Sequence, residues 1–256
     1  MTLTRQDGVA TLTLTRVDAM NALNMETKAE LADVVKVVAT DPEIRCLLIT
    51  GTGKAFSAGG DIIEMELNKT AVIARQRLQK LLNEVFIPLG ELEKPTIAAI
   101  NGHAHGAGLS LALACDLIIA AESASMSCAF VKLGLLPDCG SLYFLPRRVG
   151  MGVAKDLIFT GRRISGTEAA QLGVVNRVVP DDQLEQVAGD LARQLAASAT
   201  LAIGMSKRIL GQSLELTLRQ VSELEAHGQA MLTTTEDHQN ARIAFASKGT
   251  PTYNGR

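Results

Sequence analysis

Apolar residues and threonines alternate along VATLTLT (Val9–Thr15), and a period of two predicts a strand with one buried face. After Asn24, a residue type that favours helix N-caps, the period lengthens. Leu31, Val34, Val35 and Val38 recur at helical spacing until Asp41-Pro42 ends the pattern. CLLITG (Cys46–Gly51), TIAAI (Thr96–Ile100) and LIIAA (Leu117–Ala121) are short apolar runs of the kind buried on both faces of a parallel sheet. ASMSC (Ala124–Cys128) reads as one more strand, and Asn68 to Glu93 as a helix with Leu78, Leu81, Leu82 and Val85 on one face. SGTE (Ser165–Glu168) has the form of a capping box. Beyond it, Leu184, Val187, Ala188 and Leu191 form one helical stripe, and Leu214, Leu218, Val221 and Leu224 another. Strands alternate with helices as far as about Pro180, after which the pattern is helical only. The expected class is α/β, with a core over residues 1–195 and a helical region over 196–256.

Composition narrows the function. The 256 residues are 47% hydrophobic and 20% charged, with a formal net charge of −2. That excludes a disordered chain and a nucleic-acid surface built on bulk charge; the basic stretches PRRVG and GRRIS are only local. The cysteines, Cys46, Cys115, Cys128 and Cys139, are far apart and contain no C-x-x-C pair, which fits a reducing compartment. The N-terminal TLTRQDG lacks a signal-peptide core. The longest apolar run, Ala107–Ala121, is too short for a bilayer and contains Asp116. A cytoplasmic protein without membrane association is expected.

Two glycine-rich corners carry the candidate chemistry: TGTGKAFSAGGDI (Thr50–Ile62) after one buried strand, and NGHAHGAGLS (Asn101–Ser110) after another. Each runs from a strand toward a helix start. Small residues let a ligand reach the backbone, and the first N–H groups of a helix favour an anion or a developing oxyanion. Tight turns in a packed core would use the same residues. Leu48 and Ala55 stand where a Walker A loop needs Gly and Ser/Thr, and Phe56 and Leu111 break the dinucleotide fingerprint. Gly108–Ala112 (GLSLA) resembles a nucleophile elbow around Ser110, but Ala112 replaces its last glycine, and a triad would need His227 or His238 from the helical tail. His103 and His105 form an H-x-H pair without an evident third ligand, which reads as two strand-end side chains facing different ways. No metal site is expected.

Four blocks, AFSAGGDI (Ala55–Ile62), NGHAHGAGLSLALACD (Asn101–Asp116), FVKLGLLPDCGSLYFLPRRVG (Phe130–Gly150) and GRRISGTEAAQLGVVNRVV (Gly161–Val179), together resemble the enoyl-CoA hydratase/isomerase, or crotonase, family. AMNALN (Ala19–Asn24) and FASKGTPTYNGR (Phe245–Arg256) extend the resemblance to nearly the whole chain. It implies a spiral of ββα units and C-terminal helices that build a homotrimer, often paired into a hexamer as a dimer of trimers. It also implies an acyl-CoA thioester substrate, with CoA belonging to the substrate and no separate cofactor. The N–H groups of Ala58 and Ala107 match the family's oxyanion hole. Ala22, Ser57, Ala58, Gly59, Gly60, Asp61, Gly106 and Phe130 match positions that line the substrate, with Asp61 holding the loop rather than acting as an acid.

The chain departs from the hydratases at their two glutamates, where Ser110 and Phe130 stand. Asp138, in GLLPDCG, matches the acid of family isomerases, including Δ3,Δ2-enoyl-CoA isomerases and ring-opening isomerases of phenylacetyl-CoA degradation. Taken alone it is equally a turn residue after Pro137. The expected reaction is therefore an isomerisation through a thioester enolate, in fatty acid or phenylacetate metabolism. The alternatives are a hydratase (lyase) or other crotonase reaction with another acid, and a CoA-ester binding protein without turnover.

Overall fold

The computed structural model describes residues 1–65 and 70–256. β1 (Thr2–Gln6) and β2 (Val9–Leu14) form a hairpin, and α1 (Met25–Thr40) follows. The Asn24 side chain accepts the Thr27 N–H, and Leu31, Val34, Val35 and Val38 are buried as their spacing predicts. Three pairs of strands come next: β3 (Cys46–Gly51) with β4 (Ala55–Ser57), β5 (Thr96–Ile100) with β6 (His103–His105), and β7 (Leu117–Ala121) with β8 (Ser125–Ser127). The longer member of each pair joins a six-stranded sheet of order β1-β2-β3-β5-β7-β10, parallel except for β1, in which β10 is Arg177–Val179. The shorter member joins a second sheet of order β4-β6-β8-β9, where β9 is Ile164–Ser165 and runs antiparallel to β8. Each turn of the chain thus lays down one strand in each sheet before its helix, which makes a spiral.

β4 and β6 lie inside the two glycine corners, which the sequence reads as loops. Three-residue strands are too short to show a period. The corners are tight because backbone approaches backbone. A Cβ on Gly102 would fall 2.1 Å from the Lys54 carbonyl oxygen, and one on Gly51 would fall 2.3 Å from that of Ala55. Real side chains do not tolerate such contacts, so glycine is required at both points.

Helices fill the returns of the spiral. α2 (Ile62–Met65) and α3 (Ala71–Leu81) follow β4; Asn68 and Lys69, the start of the expected long helix, lie outside the described residues. That helix is interrupted by a π-turn at Leu82–Phe86 before α4 (Ile87–Glu91). Pro88 has no N–H to give to the residue four back, and the Ile87 N–H reaches five back to Leu82. α5 (Ala107–Leu113) follows β6, and α6 (Ser141–Thr160) follows β8 after a 3-10 turn at Ala129–Leu133. α7 (Gly166–Gln171) is capped by Ser165, but the Glu168 carboxylate accepts from Arg162 instead of completing the capping box. α8 (Leu184–Ala196) lays Leu184 and Ala188 on the core, with Val187 and Leu191 partly buried beside them.

The tail is α9 (Thr200–Gln212), α10 (Leu218–Leu232) and α11 (Glu236–Ala246). Leu214 lies between two helices rather than on the stripe expected for α10, whose start is a full capping box of Thr217 and Gln220. The tail is pinned through Asp116. Its Oδ2 accepts from Lys207 Nζ on α9 (2.9 Å) and from the Thr96 N–H and hydroxyl on β5 (2.8 Å each).

Candidate active site

The two corners meet because β4 and β6 are neighbours in the small sheet. Beyond them opens a cavity of about 400 Å3, roofed by α1 and α3 and floored by the loop before α6. Its wall carries Ala58, Gly60 and Asp61 from the first corner and Gly106 and Ala107 from the second. Phe130, Cys139 and Asp138 line it as well.

The amides decide which donors face a ligand. Ala107 is the first residue of α5, behind Gly106 at φ +51°, so its N–H has no acceptor within the helix. The Ala58 N–H is already spent: it donates to the Met20 carbonyl at 2.9 Å. This corrects the sequence assignment of Ala58 as a donor. The free group in that loop belongs to Gly60. Leu23 donates to the Gly59 carbonyl (2.7 Å) and accepts from the Asp61 N–H (3.3 Å), a parallel bridge centred on Gly60. When the residues on either side make both bonds, the central residue's own N–H points to the opposite edge. Here that edge is the cavity.

Several residues expected to line the substrate also make supporting contacts. Ser57 is fully buried and donates to the Asn21 carbonyl at 2.8 Å. Ala22 borders a separate recess, and its carbonyl accepts from Arg16 at 2.6 Å. Gly59 stands behind the wall, where a Cβ would meet the His105 carbonyl oxygen at 2.6 Å. Asp61 holds the loop: Arg16 donates twice to its Oδ2 at 3.2 Å, and Oδ1 accepts the Ile63 N–H at 3.1 Å.

Among the described residues four carboxylates line the cavity, and three are engaged. Asp61 has Arg16, Glu64 accepts the Met25 N–H (2.7 Å) and pairs with Lys28 (3.5 Å), and Glu84 pairs with Lys80 (3.9 Å). Asp138 differs in having no ion pair among the described residues. Its Oδ1 is buried without a hydrogen-bond partner; Glu64 Oε2 also lacks one, but it has the Lys28 charge beside it. Burial raises its pKa above the ordinary aspartate value, while the Cys139 thiol and Lys28 act in the opposite direction. A buried, under-solvated carboxylate of this kind binds a proton well and can release it. The Cys139 thiol is pushed far up by burial and by Asp138 itself, so it is a poor nucleophile.

Ser110, in the second corner's helix, is completely buried. Its Oγ bonds to the Ser141 hydroxyl (2.6 Å) and lies within hydrogen-bond reach of the carbonyls of Gly106 (3.1 Å) and Asp138 (3.2 Å), which share its single proton. It ties α5 to the loop that presents Asp138, and no histidine reaches it. The elbow reading of GLSLA therefore fails: the serine lies within α5, not at an exposed strand-to-helix turn. The histidine pair also differs from expectation. Residues two apart on a strand share a face, and the rings of His103 and His105 stack at 5.6 Å between centroids. Among the described residues, no group of three His, Cys, Asp or Glu side chains could hold a metal ion.

Comparison with known proteins gives the family. The architecture is that of the crotonase fold: the crystal structure of an enoyl-CoA hydratase from Bacillus anthracis superposes with a TM-score of 0.94 at 33% identity, covering 100% of this chain and 99% of the other. The family model for enoyl-CoA hydratase/isomerase matches residues 4–256, and the chain belongs to that family of acyl-CoA enzymes. Its relatives include the 1,2-epoxyphenylacetyl-CoA isomerase of Escherichia coli K12, 38% identical over 98% of this chain and 97% of the relative. They also include the short-chain-enoyl-CoA hydratase of Clostridium acetobutylicum, 37% identical over 96% and 94%.

Proposed function

We propose that the protein is an enoyl-CoA isomerase, or a ring-type acyl-CoA isomerase, with Asp138 as its single acid–base residue. The observation that carries this reading is the buried, unpartnered Oδ1 of Asp138 in a cavity whose other described carboxylates each have a cationic partner. The thioester oxygen accepts from the N–H groups of Gly60 and Ala107. As Asp138 removes a proton beside the forming enolate, negative charge builds on that oxygen. Each such donor typically contributes ~3 kcal/mol to the transition state. Asp138 then returns the proton two carbons along the chain, and the double bond has moved. Phe130 keeps water from the enolate. Water addition would need a second acid, and at the two matching positions this chain has Ser110 and Phe130. The reaction as written calls for no cofactor beyond the CoA of the substrate. The same reading puts the enzyme in the cytoplasm, in fatty acid or phenylacetate breakdown, as a homotrimer or a dimer of trimers.

The test is conversion of a 3-enoyl-CoA to its 2-enoyl isomer. Asp138→Ala is expected to lower kcat by at least about 10²-fold, the scale of one positioned acid–base group, with KM little changed. An unchanged rate, or hydration of crotonyl-CoA as the main activity of the wild type, would overturn the reading.

A further inference from the structure

His105 is a polar group in the cavity wall that the isomerisation does not use. It occupies the end of β6, directly before Gly106 and Ala107, and across from Ser127 of β8 in the parallel register. Its Nδ1 meets the Ser127 hydroxyl at 2.8 Å. Ser127 is buried and its carbonyl accepts the Gly106 N–H at 2.9 Å, so the imidazole is held on a rigid strand pair. Among the described residues Nε2 has no partner, yet it is not a buried orphan. It is the ring nitrogen left for a ligand.

The ring's surroundings favour one kind of ligand atom. Burial, then Arg163, then His103 and Lys132, hold the His105 pKa down to about 4. The imidazole is neutral at physiological pH and offers one directional hydrogen bond, with cations nearby that favour an electron-rich oxygen. Ser127 leads within three residues to Phe130, whose ring lies 3.8 Å from the Cβ position of Gly106. His105 therefore lines the cavity beside Phe130, on the side that the isomerase reading gives to the acyl chain. Ala129, Leu133 and Leu135 add apolar surface to the same lining. An unsubstituted hydrocarbon chain would leave Nε2 desolvated and unpaired, which is costly.

We propose that His105 is a specificity-determining residue that hydrogen-bonds a hydroxyl group on the acyl chain, so that hydroxylated acyl-CoA thioesters are the preferred ligands. A hydroxyl both donates and accepts and so satisfies Nε2 in either tautomer. The assignment of the acyl end rests on the isomerase reading, but its test does not need turnover.

Calorimetric titration of the full chain with free CoA, hexanoyl-CoA, and 3-, 5- and 6-hydroxyhexanoyl-CoA reads the preference directly. The wild type is expected to bind at least one hydroxylated ester about tenfold more tightly than hexanoyl-CoA, the usual scale for one buried hydrogen bond. His105→Leu, of similar bulk, should erase that preference and leave the affinity for free CoA unchanged. His105→Gln, whose amide nitrogen can approach the place of Nε2, should restore part of it. No preference among the esters in the wild type would overturn the proposal. So would an equal loss for free CoA and every ester in His105→Leu, which would assign the residue to the pantetheine arm or to folding. Failure of the Asp138→Ala assay with the hydroxyl preference intact would remove the isomerase reading alone.

Discussion

Asp138 has opposite consequences for catalysis and for stability. Burial raises its pKa in the folded protein, so the fold binds this proton more tightly than the unfolded chain does. Linkage then works against the native state: stability falls as pH rises from the unfolded value through the folded one, and the full cost is present above both. Asp138→Asn removes the ionisation and should raise Tm at pH 8. The gain should disappear at a pH below the ordinary aspartate value, where the wild-type carboxyl is neutral as well. Thermal unfolding at the two pH values checks this, and an equal shift at both would mean that the amide acts through packing. The same raised pKa sets the kinetics. The base must be ionised, so the acid limb of kcat/KM is expected above the ordinary aspartate range and absent from any residual activity of Asp138→Asn.

At the level of elements, the site depends on how closely two corners can approach. Gly102 allows the β5–β6 corner to pass against Lys54 of the β3–β4 corner, and this brings the Gly60 and Ala107 amides to one cavity. Gly102→Ala would put a Cβ 2.1 Å from the Lys54 carbonyl. The backbone must yield, and overpacking of this kind costs about 1–3 kcal/mol. The corners would also spread, so kcat should fall in parallel with Tm, with CoA-ester affinity weakened less than turnover. A variant with lower Tm and normal kcat would show that the corner tolerates opening without moving the donors. The corners mark the limit of what the sequence reveals. β3, β5 and β7 are legible because unbroken apolar runs announce buried strands, and α1 and α8 because their stripes have helical period. β4 and β6 are not, since three residues among glycines carry no period. The donor in the first corner is hidden for a different reason. Whether Ala58 or Gly60 has a free N–H depends on Met20 and Leu23, which reach the loop from nearly forty residues earlier. The fate of Ser110, by contrast, is half legible: its type excludes a carboxylate base, but its bonds to Ser141 and to the Asp138 carbonyl appear only in three dimensions.

At the level of the molecule, the helical tail has too little to bury. α10 has only Gly228 buried, and α11 only Asp237. Leu218, Met231, Ile243 and Phe245 are exposed at 82%, 64%, 69% and 89%. Yet the tail is firmly tied down. Asp237 accepts the N–H groups of Asn254 and Gly255, and Arg45 beside β3 donates to the carbonyls of Tyr253 and Ser198. A helix held in place with its apolar side in water is a surface arranged for another chain, which is the physical basis for the proposed trimer. If these residues form the subunit contacts, a charge among them leaves each chain folded, because none contributes to its core. Phe245→Glu combined with Leu218→Glu should reduce the sedimenting species from three or six chains to one while the circular dichroism spectrum is retained. Bringing the charges together in an apolar contact costs far more than the two phenyl and isobutyl groups gain from burial. A wild-type protein that sediments as a single chain at micromolar concentration would refute the assembly, and an unchanged mass in the double variant would move the contacts away from α10 and α11.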